Sequence, residues 1–280
     1  MARKWWLGTS WKMNGTLKDA RAFAGALRAA SLPANVLPFV IPSFTAIATV
    51  REVLPKGGPV LVGAQNTHWC DSGAWTGEVS PAQLADVGCD LVEVGHSERR
   101  GAFGESDETV NLKVHATLRH GMILLVCFGE SRQVLDGGGA SSYLSEQVAA
   151  ALDGVEHPED VLLAYEPIWA IGAAGRPATT DQVRKALEPV RDEWSGRIRG
   201  LLYGGSVNRD NAADLLGVEG LDGLFVGRAA WNPSGYLELL AIVAERQARL
   251  PQGVATRGEE CLVRCGLGVG FGALIGCECG

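Results

Sequence analysis

Eight short apolar runs recur along this chain at intervals of about thirty residues, and that rhythm restricts the fold more than any other feature. They are Trp5 to Thr9, Val36 to Ile41, Val60 to Ala64, Leu91 to Val94, Ile123 to Cys127, Val161 to Tyr165, Gly200 to Tyr203 and Gly223 to Val226. None shows the polar alternation of a sheet with one wet face, so each must be covered on both sides, as in a parallel sheet with helices outside. Helical spacing fills the intervals, over Leu17 to Ala30, Asp107 to His120, Tyr143 to Leu152, Asp181 to Trp194, Asn208 to Leu216 and Gly235 to Leu250. Eight such units in about 250 residues predict an α/β fold, a closed (β/α)8 barrel in a single domain over residues 1–250. An open doubly wound sheet is the alternative that the pattern alone leaves. No Pro- or Ser-rich linker divides the chain before residue 251, where the alternation stops, so 251–280 is expected to be a disordered or loosely packed tail.

Composition narrows the partners. The chain has 280 residues, 46% of them hydrophobic, which is ample for a core of this kind. A net charge of -7 with no run of five like charges offers no footprint for nucleic acid or an anionic membrane, so any bound anion must be held by local geometry. The opening MARKWWLGTSWKMNG lacks a secretory apolar core, and a cytoplasmic location is expected. The apolar stretch Cys265 to Cys277 is too short and too Gly-rich to cross a bilayer. Cys70, Cys89 and Cys127 stand singly, as reduced thiols do. The tail crowds Cys261, Cys265, Cys277 and Cys279, a weak zinc signal, and no metal site is expected.

Four constellations follow different strands, at the end of a barrel where loops gather into one mouth. Glu166 ends the run Val161 to Tyr165, and Pro167 forces the chain to leave the strand there. Alone it could be a solvated loop acid. Lys12 lies between Trp11 and Met13 after the first strand; a loop Lys is ordinarily a solubility residue, but an enclosed one suits an anionic substrate. His96 follows the fourth strand, and if Ser97 caps a short helix, the imidazole sits at its amino end, where a neutral ring is favoured. The other reading is a His satisfied by backbone. Glu98 has a supporting role there, holding Lys12 or Arg99. After Glu166, the small residues between Trp169 and Pro177 have the composition of a hinged lid, or of an ordinary flexible loop. Turns with glycine at Tyr203-Gly-Gly-Ser-Val207 and Val226-Gly-Arg-Ala-Ala230 allow backbone N–H groups to approach a phosphate.

With these residues assembled, the chain resembles the triosephosphate isomerase family, which folds as a TIM barrel, from about residue 5 to residue 248. The matching motifs come in order: Trp-Lys-Met-Asn-Gly at 11–15, Gly-Ala-Gln-Asn at 63–66, Gly-Ala-Trp-Thr-Gly-Glu at 73–78, Gly-His-Ser-Glu-Arg-Arg at 95–100, Ala-Tyr-Glu-Pro-Ile-Trp-Ala-Ile-Gly at 164–172 and Tyr-Gly-Gly-Ser-Val at 203–207. The resemblance implies a cofactor-free proton transfer that interconverts ketose and aldose phosphates. It makes Glu166 the general base, His96 the neutral electrophile and Lys12 the cation that stabilises the enediolate. That Glu and neutral-His pairing is a known pattern of this isomerase rather than something spacing shows. Gly172, Ser206 and Gly227 would hold phosphate, with Arg228 beside them. Trp75 and Thr76 fall in the loop with which one family subunit enters its neighbour, so a homodimer is expected.

Three departures surround the substrate. Ser10, after Thr9, stands where the family usually has a substrate-contacting Asn, Arg228 replaces a phosphate-side glycine, and the far lid hinge reads Gly175-Arg-Pro-Ala178. The supposed base, electrophile and cation are all retained. Gly-Thr-Ser-Trp-Lys-Met-Asn with Phe-Val-Gly-Arg-Ala-Ala-Trp resembles the branch that isomerises erythrulose phosphates in erythritol breakdown, which implies a tetrulose phosphate in preference to a triose phosphate. A true triosephosphate isomerase is the first alternative, and a non-catalytic sugar-phosphate-binding barrel is the second.

Overall fold

A computed structural model of the chain describes residues 4–172 and 175–249. Eight parallel strands, β1 (Trp5–Ser10), β2 (Val36–Ile41), β3 (Leu61–Ala64), β4 (Leu91–Val94), β5 (Ile123–Phe128), β6 (Val161–Tyr165), β7 (Gly200–Tyr203) and β8 (Gly223–Val226), pair in sequence order, and β8 closes on β1. The open doubly wound alternative is thereby excluded. Closure leaves no sheet edge to protect, which suits runs with no polar alternation. The expected tail, with its four cysteines, lies outside the described residues.

The inward-facing residues form one apolar cluster of Trp6, Phe39, Ile41, Leu91, Leu125, Cys127, Leu162, Ala164, Leu202 and Phe225. Phe39 stacks on Phe225 at 5.8 Å between centroids and meets Trp6 edge-on at 6.2 Å, so aromatic rings plug the barrel below its mouth. Side chains alternate along each strand, so the inward parity of Trp6 on β1 and Leu91 on β4 is shared by Ser10 and Glu93.

Helices cover the outside and begin where local chemistry dictates. Thr16 and Asp19 form a capping box ahead of Leu17–Ala29, as do Thr179 and Gln182 ahead of Thr180–Trp194. The last helix, Pro233–Ala248, is pinned to the barrel by Tyr236, whose hydroxyl reaches the carbonyls of Leu7 and Phe39. One expected helix is much shorter: only Ala212–Leu215 is helical within 208–216. Asn208 Oδ1 accepts the N–H groups of Asp210 and Asn211 and holds a turn instead.

Candidate active site

The carboxyl ends of β1, β4 and β6 bring Lys12, His96 and Glu166 together. Lys12 has φ 53°, the only positive value at a described residue other than glycine. Such a backbone persists only where neighbours over-determine it. Here Gln65 Nε2 donates to Lys12 O at 2.8 Å, and Asn14 Nδ2 donates to Trp11 O at 2.8 Å. The ammonium lies 2.7 Å from Glu98 Oε1. Arg99 instead pairs with Glu105 at 3.6 Å, which resolves the choice of cation for Glu98 in favour of Lys12. Burial pushes the Glu98 carboxyl up, but the hydrogen bond and charge of Lys12 outweigh it and hold the group below its ordinary value.

His96, rather than Ser97, is the N-cap of the helix Ser97–Phe103. Its Nδ1 accepts the Glu98 N–H at 3.0 Å, so the ring proton of the neutral form is carried on Nε2. Ser97 occupies the first helical position, and its buried hydroxyl caps nothing. Burial first, and the Lys12 charge second, push His96 down to about 4. The neutral ring expected from a helix terminus is thus enforced chiefly by desolvation.

His96 Nε2 lies 3.4 Å from Glu166 Oε2. Glu166 is reached through a short backbone bond from its N–H to Phe128 O, 2.7 Å, which ties the end of β6 to β5. Its Oε2 is buried, with no hydrogen-bond partner among the described residues. Burial, then the nearby Glu93, push its proton affinity well above the ordinary carboxylate value, against the pull of Lys12. Two glycines make room for this residue. A Cβ at Gly129 would come within 2.0 Å of Glu166 O, and one at Gly204 within 2.8 Å of Glu166 Cγ. Gly204 therefore leaves space for the Glu166 side chain, whereas its sequence context suggested phosphate.

Around the mouth, Ser206 Oγ donates to Ala170 O, joining the turn after β7 to the segment after Glu166. Gly172, two residues on, has φ 82°. Gly227 precedes the short 3-10 turn Arg228–Ala230 and has open space on its Cβ side. Arg228 is exposed. Residues 173 and 174 of the expected lid lie outside the described residues, while Gly175 packs close to Ala170 and Ile171. Trp75 and Thr76 lie in a loop where Trp75 packs on His68 at 4.5 Å. Among the described residues, no group of three His, Cys, Asp or Glu side chains could hold a metal, and no helix is long and apolar enough to cross a membrane.

Two carboxyl groups near the site escaped sequence reasoning. Glu130 follows β5 and accepts Tyr165 Oη at 3.1 Å and Trp169 Nε1 at 2.7 Å, so it anchors the first residues of the segment after Glu166. Glu93 lies inside the barrel and accepts Ser10 Oγ at 2.8 Å. Each stands as a lone acid in or just after an apolar strand, and that was the available signal.

The chain matches the triosephosphate isomerase family model over residues 5–243. It is 54% identical to the L-erythrulose-1-phosphate isomerase of Mycolicibacterium smegmatis, over 87% of this chain and 94% of that protein. Identity is 50% to the enzyme of that name from Rhizobium rhizogenes, covering 87% and 96%, and 49% to that from Brucella abortus, covering 87% and 98%. A closed parallel barrel, a dry carboxylate beside a neutral imidazole, and matches along almost the whole barrel agree: the chain belongs to the triosephosphate isomerase family of sugar-phosphate isomerases.

Proposed function

We propose that this enzyme isomerises a tetrulose phosphate, an erythrulose phosphate, by enediolate proton transfer, with Glu166 as base, His96 as electrophile and Lys12 as the stabilising cation. The observation that carries the chemistry is the 3.4 Å approach of His96 Nε2 to Glu166 Oε2, both residues being buried. From that arrangement a carboxylate can take a proton from one carbon while the N–H polarises the carbonyl oxygen of its neighbour. The names of the relatives support the four-carbon substrate. In an erythrulose 1-phosphate the C2 carbonyl adjoins the C3 carbinol, so an enediolate across C2 and C3 leads to a second tetrulose phosphate. The family's aldose–ketose shift becomes a carbonyl migration along the chain.

The reading assigns phosphate to Ser206, Gly172, Gly227 and Arg228, and the Ser206 Oγ to Ala170 O hydrogen bond supports it by linking the turn after β7 to the segment that ends at Gly172. A binding-only barrel has no need of a desolvated base, which disfavours that alternative. The proposed active unit is a cytoplasmic homodimer, a reading supported by Met13, 96% exposed beside Lys12, and by the half-exposed Trp75 loop.

The test is a set of coupled assays with both erythrulose phosphates and with dihydroxyacetone phosphate. Faster turnover of a tetrulose phosphate, together with a fall of about 100-fold or more in kcat for Glu166→Asp at nearly unchanged KM, is expected. Turnover of triose phosphate above every tetrulose by orders of magnitude would refute the substrate. Near-normal kcat in Glu166→Asp would remove Glu166 from its role, and no exchange of substrate C–H with deuterated water would favour the binding-only barrel.

A further inference from the structure

One carboxyl group inside the barrel enters the chemistry above only through its charge on Glu166. Glu93 projects inward from β4, three residues before His96, and is 2% exposed. A glutamate so deeply buried ordinarily has a partner charge, yet its hydrogen-bonding partners among the described residues are both uncharged. Oε2 accepts Ser10 Oγ at 2.8 Å, and Oε1 faces Cys127 Sγ at 3.8 Å. Ser10 is the last residue of β1, also buried, and two residues before Lys12. Its carbonyl is held separately by Trp231 Nε1 at 2.9 Å, so backbone and hydroxyl are both fixed. An apolar residue at 93 would fill the barrel without burying a charge, so the carboxylate calls for a chemical reason.

Resting on the tetrulose reading, we infer that Ser10 and Glu93 together form the specificity element of this site, with Glu93 setting the direction in which the Ser10 hydroxyl points. A carboxylate only accepts, so Ser10 spends its single hydrogen on Glu93 and meets the substrate as an acceptor. An acceptor there is mismatched to a carbonyl oxygen and matched to a hydroxyl hydrogen. A tetrulose phosphate has one hydroxymethyl group more than a triose phosphate, next to the reacting carbons, and its O–H supplies that hydrogen. Glu93 does not touch the substrate in this scheme. It is a positioning residue that acts through Ser10.

The experiment compares kcat/KM for erythrulose 1-phosphate and dihydroxyacetone phosphate in the wild type, Ser10→Ala, Glu93→Leu, Glu93→Gln and the Ser10→Ala/Glu93→Leu double variant. Assays run at about pH 8.5, above the value of about 7 to which burial pushes Glu93. The tetrulose-to-triose ratio should fall by about 10- to 100-fold in Ser10→Ala and in Glu93→Leu, and no further in the double variant. Glu93→Gln, which keeps shape and an acceptor oxygen, should hold the ratio within a few-fold and supplies the comparison should Glu93→Leu not fold. If Ser10→Ala and the Glu93 variants slow both substrates alike and leave the ratio unchanged, the inference is overturned and the pair is only structural. A wild type that turns over no tetrulose phosphate overturns the substrate reading, and this inference with it.

Discussion

Glu93→Gln exposes the energetic consequence of a buried carboxyl without reference to any substrate. Burial pushes Glu93 from its ordinary 4.5 up to about 7, with the Ser10 hydrogen bond pulling the other way. One pH unit of displacement corresponds to about 1.4 kcal/mol, so the whole effect is about 3 kcal/mol. Its sign follows from linkage: the folded chain binds this proton more tightly than the unfolded chain. The stabilising contribution is therefore complete below about pH 4.5 and disappears as pH rises through about 7. About 2 kcal/mol of that change falls between about pH 5.5 and about pH 8.5. Glutamine keeps the shape and cannot titrate. Urea unfolding of both proteins, followed by tryptophan fluorescence at one protein concentration, gives the difference directly. Relative to Glu93→Gln, the wild type should lose about 2 kcal/mol across that range. A difference constant to within about 0.5 kcal/mol would refute the placement of Glu93 in a desolvated, uncompensated site.

Two further outcomes follow from contacts at the mouth and the surface. Gly204→Ala would place a Cβ 2.8 Å from Glu166 Cγ and 3.1 Å from Oε1, so kcat should fall about 100-fold with KM nearly unchanged; steady-state kinetics with unaltered kcat would mean that the base has room to spare. Trp75→Glu puts a charge on the half-exposed loop and should convert the proposed homodimer to monomer in light scattering; a wild type that is already monomeric, or a variant that stays dimeric, rejects that loop as the contact.

The barrel was legible because its strands are short, apolar and sharply ended. Val36–Ile41, Leu91–Val94, Val161–Tyr165, Gly200–Tyr203 and Gly223–Val226 begin and end at the expected residues, since a proline or glycine within a residue or so of each carboxyl end stops the pairing. β1 extends one residue beyond its expected end, to Ser10. That small extension matters, because it gives Ser10 the inward parity of Trp6 and points its hydroxyl at Glu93. Sequence alone carries the alternation along one strand but not the register between β1 and β4, which are separated by two strands around the barrel. The Ser10–Glu93 contact, spanning 83 residues, had no local signal. The cap of Ser97–Phe103 was misplaced by one residue for a related reason. Serine is the commoner cap by propensity, but the His96 ring reaches the Glu98 N–H, and tertiary burial holds it there.

The same burial governs three neighbouring groups in a single direction. His96 is pushed down, while Glu93 and Glu166 are pushed up, so the interior of the site favours neutral forms. The nearby charge sits at the rim, in the Lys12–Glu98 pair. A proton affinity raised in this way makes a carboxylate a stronger proton acceptor. It also makes Glu166 sensitive to each remaining charge. Lys12 lowers the proton affinity of Glu166 and Glu93 raises it, so the two oppose each other at one carboxyl group. Replacing Glu93 therefore alters two things at once: the direction of the Ser10 hydroxyl and the basicity of Glu166. The first acts on the ratio between substrates, whereas the second acts on every substrate alike. Only a ratio measured on two substrates of different length separates specificity from basicity at this position.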